Sequence, residues 1–166
     1  MNIFTRAAIL IALSTGVALA QDDTLRNRMD PREDLTTSGQ PTVESLENLA
    51  GSGFAAIIDL RRPEEDRGIE EQAAVEGLGM SYVSLPIDGA DGVNFENANA
   101  LNQLLAEIDG PVLVHCGSGN RAGAVLALAE KLNGADNEEA LQFGREAGLR
   151  GLEPTVRERL ENESSE

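Results

Sequence analysis

The sequence predicts an α/β fold: a parallel or mostly parallel central sheet flanked by helices. Three observations carry this. Short, continuous apolar runs at residues 54–60, 82–85 and 111–114 read as strands buried on both faces. Segments with apolar residues at helical spacing separate these runs, so strands and helices alternate along the chain. The third run delivers the only histidine and only cysteine, His115-Cys116, into a glycine-rich turn. In such sheets ligands sit beyond the carboxyl ends of the strands, where Cys116 falls.

Residues 1–20 have the layout of a cleaved secretory signal. One positive charge lies in residues 1–6, residues 7–17 are nearly all apolar, and Ala18-Leu19-Ala20 places small side chains before Gln21. Export is therefore expected, to the periplasm if the source is a Gram-negative bacterium; an uncleaved anchor is the alternative reading. Residues 21–37 are polar and charged and read as a flexible leader. The folded domain is expected over residues 38–166.

Ser38-Gly39-Gln40-Pro41 is a turn cluster, and Thr42 is an N-cap for a short helix through Val43, Leu46 and Leu49 that Gly51-Ser52-Gly53 ends. After the first strand comes the charged loop Arg61-Arg62-Pro63-Glu64-Glu65-Asp66. A brief helix through Ala73 and Val75 precedes the second strand, which Pro86 stops. Residues 87–93 form a loop holding Asp88, Gly89, Asp91 and Gly92. Ala98, Leu101, Leu105 and Ile108 line one face of the next helix. A helix over residues 120–132 is apolar nearly all round and should be central and buried. Asp136 and Glu139 form a capping-box start for another, and a last helix begins near Glu153-Pro154.

The chain has 166 residues, enough for one domain. It carries 29 Asp and Glu against 13 Lys and Arg, a formal net charge of −16. That surface repels nucleic acid and anionic membranes, so neither is an expected partner, and the balance is also what simple solubility requires. No other long apolar run follows residue 20, so no stable membrane insertion is expected after signal cleavage. One histidine and one cysteine offer no recognisable zinc spacing, and no nucleotide-cofactor motif is present. One cysteine cannot close an internal disulfide. In an oxidising compartment, Cys116 is a liability unless it is reactive or plainly buried and inert.

The loop Cys116-Gly117-Ser118-Gly119-Asn120-Arg121 is a candidate anion cradle with a nucleophile at its base. Backbone N–H groups from Gly117 to Arg121 can converge on one anion, and the following helix points its positive end there. The same field favours a thiolate at Cys116. Arg121 can hold two oxygens in a planar fork. His115 is expected to orient the cysteine through hydrogen bonds, or to be a strand-end residue with a satisfied ring. Asp88 and Asp91, in a glycine-flanked loop, are candidates for the general acid, though each is also an ordinary turn residue. Asp59 reads as structural, and Arg61 as an anion ligand or a surface charge.

Several segments resemble the phosphatase-like domain of bacterial beta-lactamase hydrolase-like proteins. They are Ser38-Gly39-Gln40-Pro41-Thr42, Ile58-Asp59-Leu60-Arg61, the loop from His115 to Gly123, and residues 139–149. The resemblance implies a fold like that of cysteine-based, dual-specificity protein tyrosine phosphatases, with Cys116 as nucleophile and Arg121 as anion clamp. It implies hydrolysis of a phosphate monoester through a cysteinyl-phosphate. Two departures stand out. Four residues separate Cys116 from Arg121 where ordinary cysteine phosphatases have five, and Ala122 replaces the usual hydroxyl residue. The shorter loop is similar to that of rhodanese-type sulfurtransferases, which keeps transfer of sulfane sulfur through a persulfide as an alternative. A non-catalytic anion-binding or redox module is a third. The expected substrate is a small phosphorylated or sulfur-bearing compound, and an exported thiolate would need a reducing partner.

Overall fold

The computed structural model describes residues 25–163. Its five strands are β1 (Met29–Arg32), β2 (Leu35–Ser38), β3 (Ala56–Asp59), β4 (Ser81–Ser84) and β5 (Val112–His115), in the spatial order β1-β2-β5-β3-β4. All neighbouring pairs are parallel except β1 with β2, an antiparallel hairpin at one edge. Helices α1 (Val43–Gly51) and α2 (Glu71–Gly77) pack with Ile57 and Leu113 on one face. Helices α3 (Phe95–Glu107), α4 (Asn120–Leu132), α5 (Asn137–Glu146) and α6 (Glu153–Glu163) cover the other, over Leu35, Ile58, Val112 and Val114. The expected α/β architecture is the observed one.

Local chemistry sets the element boundaries. Thr42 accepts from the Ser45 N–H while the Ser45 hydroxyl accepts from the Thr42 N–H, a reciprocal cap that starts α1. Asp136 and Glu139 do the same for α5. Helix α4 spans the residues its apolar composition predicts, and Ala122 through Ala129 are all buried.

The leader expected over residues 21–37 is corrected from Leu25 onward: Leu25 is buried in the cluster with Leu46 and Ile57, and Arg26 and Asn27 bond to the domain. Residues 29–38 form the β1–β2 hairpin, and Ser38, placed in a turn by the sequence, ends β2. The sequence signal was weak because β2, Leu35-Thr36-Thr37-Ser38, contains one strongly apolar residue. Its polar side chains are buried all the same because each finds a partner: Thr37 donates to the Ala147 carbonyl at 2.8 Å and Thr36 to Asp30 at 2.6 Å. Threonine is also β-branched and fits a strand. Residues 1–24, with the expected signal, lie outside the described residues.

Helices α4 and α5 approach closely where both carry glycine. A Cβ added at Gly123 would stand 2.7 Å from the Gly144 carbonyl oxygen and 2.8 Å from the Gly148 carbonyl carbon, both rigid backbone. Gly123→Ala should therefore cost about 1–3 kcal/mol of stability, as overpacking does. A lower urea midpoint with unchanged slope would show it; an unchanged midpoint would mean that the helices separate freely.

Candidate active site

The ladder aligns one row of residues across the carboxyl ends of the strands: Ser38, His115, Asp59 and Ser84. Side chains alternate along a strand, so His115 and Cys116 leave β5 on opposite faces. Cys116 joins the core beneath α4, and its residue is 1% exposed. His115 faces α2, where its Nε2 lies 2.7 Å from Glu71 Oε1 and 3.7 Å from Asp59 Oδ1. The expected hydrogen-bonded orientation of the cysteine by the His115 ring is thus corrected. The ring faces carboxylates on the far side of the sheet, and neither of its nitrogens makes a hydrogen bond among the described residues.

Around His115 is a buried ionic network that the sequence did not reveal. Arg61 donates to both oxygens of Asp59 and to Glu71; Arg67 and Tyr82 also donate to Asp59. Arg61 is 1% exposed, so it is neither the surface charge nor the anion ligand the sequence allowed, whereas the structural reading of Asp59 matches this place. Burial pushes the Asp59 carboxyl upward, but the Arg61 hydrogen bonds, with His115 and the Arg61 charge, outweigh it and hold it at about 2. Burial, then the bond to Asp59, pushes the Tyr82 hydroxyl up to about 12. Asp59, Glu71 and His115 bring one ligand atom each within 4.8 Å of one another, the spacing of a metal triad. Arg61 and Arg67 bring positive charge to the two carboxylates, while Glu71 Oε1 and both ring nitrogens of His115 make no hydrogen bond among the described residues.

The cysteine loop is held from outside. Arg26 Nη2 donates to the Gly117 carbonyl at 2.6 Å and Asn27 Nδ2 to the Ser118 carbonyl at 3.1 Å. In a trans peptide the N–H points opposite to the C=O. The Ser118 carbonyl drawn outward therefore turns the Gly119 N–H inward. The Gly119 N–H indeed meets the Cys116 sulfur at 3.2 Å. Gly119, at φ +89°, takes the left-handed conformation this turn needs and then leads into α4. The Asn120 side chain faces away from the cradle: its Oδ1 accepts from the Arg150 N–H at 2.8 Å.

Arg121 reaches back across the strand ends. Its Nη1 donates to the Ile87 carbonyl at 3.0 Å, and both Nη atoms meet the Glu65 carboxylate at 2.6 Å. Hydrogen bonding to Glu65, and further the interaction with Cys116, holds the guanidinium above its ordinary value despite burial. Hydrogen bonding to Arg121 in turn holds Glu65 at about 2 against some burial. Asp88 follows Ile87, so it adjoins Arg121; its exposed carboxylate pairs with Arg62 at 2.8 Å. Asp91 is exposed, and its side chain makes no hydrogen bond or ion pair among the described residues. Glu65, Glu71, Arg26 and Asn27 were missed because they come from loops or, for Glu71, the first residue of a short helix, where polar and charged residues read as solvated.

A buried thiol under inward-turned amides, at a strand end and a helix start, with an arginine beside it, defines the cysteine-based phosphatase-like class. The chain belongs to the family described as DSP-PTPase phosphatase fused to NAD+ kinase, whose model matches residues 8–156. It is 33% identical over 122 residues to a beta-lactamase hydrolase-like protein of Agrobacterium fabrum, covering 70% of this chain and 28% of the relative. A protein of the same description from Xylella fastidiosa is 36% identical over 120 residues, again covering 28% of the relative. The chain thus spans little more than a quarter of these relatives. A phosphatase candidate of Neisseria meningitidis superposes with a TM-score of 0.69 at 25% identity, over 81% of this chain and 96% of that one. The core catalytic domain of a PP-IP phosphatase of S. cerevisiae gives 0.58 at 17%, over 85% and 89%, and shares the fold.

Removing one partner of a buried ion pair leaves the others uncompensated, so Asp59→Asn should lose about 3–5 kcal/mol. The sign with pH follows from the depressed value. The carboxylate stabilises the fold above pH 4, and this is lost as pH falls from the ordinary 3.8 through about 2. The stability gap between wild type and Asp59→Asn, read by urea unfolding, should therefore shrink from pH 5 to pH 2. A gap that stays constant would contradict the network.

Proposed function

We propose that the chain hydrolyses a small phosphate monoester through a cysteinyl-phosphate. The observation that carries the reading is the Gly119 N–H directed at the Cys116 sulfur, since amides turned inward around a nucleophile can bind phosphoryl oxygens. The Cys116 thiolate attacks phosphorus, and the bond from phosphorus to the leaving oxygen breaks. Asp88 protonates that oxygen; of the two aspartates the sequence offers, it is the one beside the Ile87 carbonyl that Arg121 grips. Water then attacks the phosphocysteine, releasing inorganic phosphate and the thiolate. Arg121 and the amides of residues 117–121 steady the transferring group. The phosphatase-like family and fold support this reading.

An aryl phosphate assay tests it. Wild type should release phosphate between pH 5 and 8, Cys116→Ser none, and Asp88→Asn about 10²- to 10⁴-fold less, the usual worth of a general acid. With Ala122 in place of a hydroxyl, acid quenching should trap one phosphoryl group on Cys116 by mass spectrometry. The four-residue loop also favours sulfur transfer as a second reading. One added sulfur on Cys116 after thiosulfate, with no phosphate released from the ester, would replace hydrolysis by it.

We also propose export. The apolar run and the Ala18-Leu19-Ala20 site support it. Amino-terminal sequencing of the native protein should begin at Gln21; a start at residue 1 or 2 would reject cleavage.

A further inference from the structure

Arg121 is the cation of the cradle, yet its charge is already spoken for. Glu65 meets it with both oxygens, and the guanidinium also contacts the Ile87 carbonyl and the Cys116 sulfur. The carboxylate is set against the loop itself: a Cβ built on Gly117 would lie 4.0 Å from Glu65 Oε2 and 3.8 Å from Arg121 Nη2. Glu65 therefore stands beside the loop that an oxyanion would enter. A like charge at that range opposes the anion, and a paired guanidinium attracts it less.

Glu65 is also well placed to give way. It sits on the turn after β3, where the Arg62 N–H holds Oε1 at 2.9 Å, and its side chain is 26% exposed. It borders a groove of about 770 Å³ lined further by Arg67, Ile69, Glu70 and Tyr82. A carboxylate leaving Arg121 has that volume to turn into. Burial locks Asp59 and Glu71 into their network, whereas nothing comparable surrounds Glu65.

We propose that Glu65 is a specificity-determining residue of the cradle: its carboxylate competes with the incoming oxyanion for Arg121. This rests on the reading of residues 116–121 as an oxyanion site. Free inorganic oxyanions, which bring nothing but charge, are held weakly. A phosphorylated substrate adds contacts from its organic part, displaces the carboxylate and is retained. After hydrolysis the same competition expels inorganic phosphate, so product does not clog the site. A carboxylate that merely propped Arg121 in place would have the opposite effect, since its loss would weaken every anion.

Calorimetric titration of the mature protein with sodium sulfate at pH 7 separates these roles, because sulfate binds without being turned over. Glu65→Gln should bind sulfate on the order of tenfold tighter than wild type, and Glu65→Ala should do likewise. Arg121→Met should not bind it. Thermal melting of each variant verifies folding, and a gain of affinity cannot come from a damaged site. Equal or weaker binding by both Glu65 variants, or binding by none of the proteins, overturns the proposal. Absence of phosphatase activity in wild type, with tighter sulfate binding in Glu65→Gln, would defeat the hydrolase reading and leave this one standing.

Discussion

The register of β5 between β2 and β3 is the constraint on which the site depends. Pairing Ser38 and Asp59 on either side of His115 fixes where the strand ends and therefore which face each following residue takes. A slip of one residue would exchange those faces and put the sulfur among carboxylates. The buried network bolts the register down, because Asp59 on β3, His115 on β5 and Glu71 on α2 must all meet Arg61 or one another. Such ion pairs add little net stability against an apolar core, but a wrong register would leave buried charges unpaired.

The sheet thereby separates two tasks. On the α1–α2 side, opposite charges are buried and paired. On the α4 side, small residues let the helix start close against the strand ends, so that the Cys116 sulfur reaches the amides of the turn. Gly123 and Gly144 serve this arrangement from behind, since their close approach sets how α5 and the turn at residues 147–149 press on α4. The loop itself is shaped by residues distant in sequence. Arg26 and Asn27 draw two carbonyls outward, and the covalent geometry of the peptide does the rest.

Much of this was legible in the sequence, for identifiable reasons. Helix α4 was readable from its run of apolar residues, α5 from the Asp136 and Glu139 cap, and β3 and β5 from unbroken apolar stretches. The cysteine loop was readable because glycine, cysteine and arginine in so few positions have few other uses. What escaped depended on long-range pairing. Strand β2 looks like leader because threonine hydroxyls count as polar until their acceptors, such as the Ala147 carbonyl, are known. His115 looked like a partner of the neighbouring cysteine because adjacency in sequence is visible and alternation of faces is easily overlooked. Glu65 and Glu71 looked like two of many acids in a chain with 29 of them.

The seclusion of the sulfur has a chemical consequence. Cys116 is 1% exposed and has no second cysteine in the chain, so an oxidised sulfur cannot be rescued internally. Thiol–disulfide exchange needs the attacking sulfur to approach in line with the bond it breaks. Reduction of a sulfenate at Cys116 therefore needs an external thiol whose sulfur can reach an almost wholly buried atom.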